Sequence, residues 1–302
     1  MKKNIGFWTV SLVWSILSAC QQVPEDGFES RGYVKLNVSA TTISKTNIGE
    51  WGNGVEEDWG LNGIPVHTRA SDEAVSRMAF VLLNEDDEKI ISQDKKSTED
   101  GYLNLVAEVP VGSYKLIAYG HNGKNAATIG TDLTITADNE KQTDAFLHYQ
   151  TLDLDEESED VLNITLNRCV AKLSFKHTDV IPDGAASVEI KYTGAGNELD
   201  ASTGLATEAV EQTVTIQIPE SPASKVNNTF STYCFLTEEE STVDATLTTK
   251  DSKGNVITSY VVNDIPVEVN TQTICSGALF HAAQTIAVTI NSEWNTPKEV
   301  SF

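Results

Sequence analysis

The chain has 302 residues, 44 of them acidic against 21 basic, for a formal net charge of −23. A surface this acidic repels nucleic acid and anionic lipid headgroups, which excludes polyanion binding. Hydrophobic residues make up 40% of the sequence, enough to build packed cores and to exclude a disordered chain.

Met1-Lys2-Lys3 supplies a positive start and Ile5 to Leu17 an apolar stretch. That is the layout of a secretory signal, too short to span a bilayer by itself. Residues 1–19 are read as this signal peptide. They carry Lys2 and Lys3 and no acidic side chain, so their removal leaves 283 residues with 44 acidic against 19 basic groups. Leu17-Ser18-Ala19-Cys20 resembles the lipobox of bacterial lipoproteins, in which the cysteine thiol is diacylated and the new amino terminus usually acylated too. Several acyl chains anchor stably where one binds only marginally. The resemblance implies a chain held at the outer membrane through lipid on Cys20 and exposed at the cell surface. Residues 20–31 have linker composition, and Glu25-Asp26 resembles an acidic export tag.

Period-2 patterning begins at Tyr33, with Val34, Leu36, Val38 and Ala40 on one face. Ser44 to Arg69 is a loop rich in Gly, Asn, Glu and Trp. Met78 to Leu83 reads as a strand stopped by the Asn84-Glu-Asp-Asp-Glu88 turn, and Tyr102 to Val109 as another, ended by Pro110. Pro110 and Gly112 suit a turn, after which Tyr114, Leu116 and Ala118 line one face. Thr131 to Thr136 and Ala145 to Leu154 bring the count to about seven strands, as a sandwich requires. The acidic break from Asp153 to Asp160 is the predicted boundary between an N-terminal sandwich over 32–160 and a second over 161–302.

Past that break, Val161 to Leu166 and Arg168 to Phe175 form one long strand or two short ones. Strands are predicted at 186–192, 212–218, 229–236, 243–249, 256–262, 265–269, 277–280 and 286–290. Gly, Asp, Asn or Pro separates most of them, and no sustained 3.6-residue period appears. The fold class is all-β.

The five histidines, His67, His121, His148, His177 and His281, show no metal-ligand spacing, and no Gly-x-Ser-x-Gly elbow occurs. The acidic runs lack the ligand alternation of an EF-hand loop and read as solvated turns. No enzyme activity, metal or cofactor is expected. Beyond Cys20, the widely spaced Cys169, Cys234 and Cys275 read as buried free thiols; if one bridge forms, sequence does not choose the pair. Trp51 and Trp59 share the long loop, where they either pin it to the sandwich or offer faces for stacking on sugar rings. The terminal Phe302 is a feature of outer-membrane barrels, but the strands are too short for one.

Several segments in order resemble the fimbrillin family, the type V pilins and anchor subunits of Gram-negative anaerobes, with the anchor and accessory branch the most similar. Arg168-Cys-Val-Ala-Lys-Leu-Ser-Phe175, continuing to Val180-Ile-Pro-Asp183 and Val188 to Gly194, resembles the opening of that family's second domain. Val109-Pro-Val-Gly-Ser-Tyr114 is similar to a turn of the first domain. Ile265 to Asn270, Gly277 to Phe280 and Val288 to Trp294 are similar to the closing strands. The resemblance implies two tandem transthyretin-like β-sandwiches with no catalytic site, serving as a structural pilus subunit or anchor in cell adhesion. It also implies partnership with other fimbrial subunits by strand exchange, and a possible host or partner-cell ligand. In polymerising members an arginine-specific protease removes the first strand; here that strand is Tyr33 to Ile43 and the cut falls at Arg69-Ala70. Anchor-type members keep the strand. Of the four arginines, Arg31, Arg69, Arg77 and Arg168, Arg69 closes the long loop where a protease has easiest access.

Overall fold

The structure is a computed structural model that describes residues 32–42, 58–59, 75–137, 142–157, 161–219, 228–280, 287–292 and 296–300. These residues are all-β, with no helix among them. Strands are numbered in chain order. The first sheet has seven, in the order β4 (Lys89–Lys96), β3 (Arg77–Asn84), β6 (Gly112–His121), β9 (Ala145–Leu154), β10 (Val161–Arg168), β1 (Tyr33–Thr42) and β5 (Asn104–Pro110). Leu82 from one end of that order and Leu105 from the other share a single core with Leu36, Leu116 and Phe146. The sheet therefore curls over onto itself. Gln93 on edge strand β4 donates through Nε2 to the Asn104 carbonyl on the opposite edge at 3.0 Å.

A six-stranded sheet runs β2 (Asp58–Trp59), β16 (Thr229–Cys234), β11 (Ala171–His177), β19 (Thr271–Gly277), β20 (Ala287–Ser292) and β21 (Thr296–Val300). A four-stranded sheet runs β15 (Val210–Gln217), β12 (Ala185–Ala195), β17 (Glu240–Asp251) and β18 (Val256–Glu268). Leu173, Phe175 and Phe230 of the former meet Ile190, Val214 and Leu247 of the latter in one buried core, which makes this pair a β-sandwich. The inward positions of β15 and β17 alternate strictly with exposed or half-buried ones, as period-2 patterning requires.

A last small sheet is built from β14 (Leu205–Ala206), β13 (Glu198–Asp200), β8 (Thr134–Thr136) and β7 (Thr128–Ile129). Its strands come from both sides of residue 160. Leu199, Ala201 and Phe235 pack with Val81, Ile117 and Tyr119, so residues from the later half cover the outer face of β3 and β6. This explains why Met78 to Leu83 is buried on both faces rather than alternating.

Several expectations are corrected. The acidic break before residue 161 does not end the first sheet, because β10 pairs antiparallel with β9 and parallel with β1. The chain leaves that sheet only at Cys169-Val170, so residues 161–168 and 171–177 are two strands in different sheets, with Arg168 ending the first. Segments 256–262 and 265–269 form one strand, β18, with a register shift where it pairs with β17. Residues 277–280 are not a strand: β19 ends at Gly277, and the Asp179 carboxylate accepts from the backbone N–H groups of Leu279 (3.0 Å) and Phe280 (2.9 Å) instead. The Asn84–Glu88 turn is a hairpin in which Asn84 Oδ1 accepts from the N–H groups of Asp86 and Glu88, as expected of a solvated turn.

Candidate functional site

The first strand is the best-defined candidate. On β1, Val34, Leu36, Val38 and Ala40 are 8%, 3%, 1% and 2% exposed, the face read from the alternation. β1 is an interior strand with a neighbour on each side. It pairs antiparallel with β5 from Tyr33–Pro110 to Ser39–Asn104, and parallel with β10 from Asn37–Val161 to Thr42–Leu166. Leu105 and Val109 on one flank and Ile164 and Leu166 on the other are buried beside it. Further bonds pin its ends: Ala40 N–H donates to the Leu103 carbonyl at 2.9 Å, and Val111 N–H to the Gly32 carbonyl at 2.8 Å. Thr41 Oγ1 donates to the Ile164 carbonyl at 3.2 Å. The Pro110 turn, singled out in the sequence, is held by Tyr114, whose hydroxyl donates to the Pro110 carbonyl at 2.6 Å.

Chemically, β1 fills a slot with an apolar floor and two walls of backbone hydrogen-bonding groups. Burying each of Val34, Leu36 and Val38 contributes about 1.5–3 kcal/mol, and β5 and β10 would each present an unpaired edge without it.

Cys20, Arg69 and Ala70 lie outside the described residues, as do Arg31 and Trp51. Trp59 lies in β2, whose backbone pairs parallel with β16 at Phe230, so the long loop is tied to the six-stranded sheet at that point. Of the remaining arginines, Arg77 is paired with Asp94 and Arg168 with Asp144, and both side chains are largely covered. Neither offers a protease a free substrate side chain.

Cys169, Cys234 and Cys275 are free and buried, as expected. Burial pushes the Cys234 and Cys275 thiols up to about 12 and raises Cys169 further still. Thiols held so far from ionisation are poor nucleophiles. His148 is bonded to the Thr165 carbonyl (2.9 Å) and to Gln150 Oε1 (2.8 Å). His177 is bonded through Nδ1 to the Asp179 carbonyl at 2.6 Å and packs edge-to-face on Phe280 and at a tilt against Phe230. Among the described residues no three His, Cys, Asp or Glu side chains converge as metal ligands.

Residues 121–301 match the model of a family of unknown function, DUF6562. The chain belongs to that family. No curated protein matches it in sequence. A candidate adhesin from Bacteroides ovatus superposes with a TM-score of 0.52 at 11% identity, over 82% of this chain and 88% of that one. A candidate polysaccharide-binding protein (DUF1812) from Bacteroides thetaiotaomicron gives the same TM-score and identity over 88% and 98%. These two share the fold of this member of the family. The fimbrial anchor protein of Porphyromonas gingivalis is a more distant likeness, at a TM-score of 0.41 and 10% identity over 85% and 97%.

Proposed function

We propose that this protein is a surface-exposed lipoprotein of fimbrial type, a structural subunit or anchor that supports adhesion and has no active site. It assembles with other subunits by β-strand complementation at the seat of β1. The double pairing of β1 carries this reading. A cut at Arg69-Ala70 would release an interior strand and leave the slot that strand addition needs, with alternate apolar pockets and main-chain partners on both sides. The lipobox ending in Cys20 supplies the tether, and the fimbrillin-like motifs point the same way. The fold shared with a candidate adhesin supports the cell-surface setting.

The test is mass spectrometry of the protein purified from its native membrane. A triacylated Cys20 terminus identifies a membrane anchor, and an Ala70 terminus identifies a processed, polymerised subunit. A Cys20→Ser variant that still partitions with membranes after a salt wash overturns the lipid anchor. An unacylated terminus between the two positions overturns both the anchor and the cleavage site.

A further inference from the structure

Among the described residues, the outer face of the first sheet is covered over β3 and β6 but bare over β10, β1 and β5. On the bare part, Tyr33, Val106 and Val161 are 72%, 62% and 49% exposed. Asn37 stands directly between the two valines, since it is the register partner of both. On this face the three strands carry one Lys and one Glu, Lys35 and Glu108, and these lie opposite each other. On a chain of net charge −23 this is a conspicuously neutral strip. From Tyr33 to Thr41 it runs for about 26 Å at the usual rise of a strand. Asn37, Asn104, Asn163 and Asn167 all face outward along it, and among the described residues no hydrogen bond engages their side-chain amides.

The strip ends in a cleft. Asn167 is also part of the lining of a cavity of about 610 Å³ where β9 and β10 meet the β13–β14 turn and the adjoining ends of β17 and β18. Tyr149, Ser202 and Thr203 contribute an aromatic ring and hydroxyls to its wall, and Glu239, Glu240 and Glu268 contribute carboxylates against the single guanidinium of Arg168, which is itself paired with Asp144. Glu240 and Glu268 are direct cross-strand partners, a like-charge placement that costs stability in a sheet.

We propose that the strip and cleft together bind an uncharged polysaccharide. Side-chain amides both donate and accept, so they match the paired hydroxyls of a sugar ring, and an exposed Tyr offers an apolar face with a polar tip. A neutral ligand meets no penalty from the protein's overall charge. Sugars bearing carboxylates are repelled by Glu240 and Glu268 at the cleft. The surface-adhesin reading gives this inference its setting, but the binding is read on the intact chain. Failure of strand exchange would leave it standing.

The experiment is calorimetric titration of the full-length protein in detergent with cellohexaose, xylohexaose and mannohexaose, and with hexagalacturonate as the acidic counterpart. At least one neutral probe should bind saturably and hexagalacturonate should not. Tyr33→Ala, and Asn37→Ala with Asn163→Ala, should each weaken that binding at least about fivefold, the loss of roughly one hydrogen bond or its equivalent. All three positions face outward, so the variants keep the fold, and Thr215→Ala on the separate four-stranded sheet should bind unchanged. No binding of any neutral probe overturns the proposal, as does binding unaltered by the strip variants or equal binding of hexagalacturonate. If sedimentation instead shows the strip variants abolishing self-association, the face receives a second copy of this chain and the proposal also falls.

Discussion

Arg168 grips Asp144 with two parallel hydrogen bonds, Nε to Oδ1 at 2.7 Å and Nη2 to Oδ2 at 3.1 Å, and both side chains are largely covered. The third nitrogen, Nη1, donates to Asn270 Oδ1 at 3.0 Å, and the guanidinium lies 4.7 Å from the Phe146 ring centroid. One side chain thus ties the end of the first sheet to the turn between β18 and β19, where Asn270 N–H also donates to the Val170 carbonyl. Arg168→Ala leaves the Asp144 carboxylate covered and unpaired, with an expected loss of about 3 kcal/mol. Arg168→Lys keeps the charge but loses the fork and should cost less than the alanine variant. Denaturant melts of the two variants check the ranking.

A chain that begins at Ala70 should be poorly stable and prone to self-association, because the seat between β5 and β10 is then open. A peptide spanning Gly32 to Ile43 should restore its melting temperature. A stable monomer with an unchanged melting temperature would remove strand exchange as the assembly mechanism.

Side-chain polarity along β1 should matter by face. Val38→Asp places a carboxylate in the core and should unfold the first sheet, whereas Ser39→Asp on the outer face should stay within about 0.5 kcal/mol of the parent. Chemical denaturation of the full-length protein distinguishes the two.

Stability should fall on mild acidification, through His177. Burial lowers its pKa below 6.5, outweighing the Asp179 carbonyl that raises it. The unfolded chain then binds a proton first, so the contribution is complete above about pH 6.5 and is lost as pH falls from there through the depressed folded value. His177→Leu should flatten that part of the stability profile relative to the parent, measured by melting temperature from pH 7.5 to 5.

Cys169, Cys234 and Cys275 should resist a thiol reagent in the native protein and react together on unfolding, since burial holds all three protonated. Mass spectrometry after labelling with and without denaturant counts them.

The all-β class and the inward face of β1 were legible in the sequence because a half-buried strand writes its environment into a two-residue alternation. The same holds for β12, β15 and β17, which pack one face on a core. Strands without that asymmetry were silent. β4 is an edge whose residues are exposed or half-buried throughout, so Lys89 to Lys96 shows no apolar stripe. β19 turns Thr271, Thr273 and Cys275 inward, and threonine reads as polar although its β-branched side chain suits a buried strand. Sheet membership was invisible for a different reason. Whether Val161 to Arg168 joins β9 and β1 or the strands that follow depends on partners 20 to 124 positions away, such as Leu147 for Asn167 and Ala40 for Ile164. The outward strip of Asn37, Val106 and Val161 likewise exists only once three distant segments lie side by side. Local alternation fixes which face of a strand is buried; long-range hydrogen bonding alone decides which strands share that face.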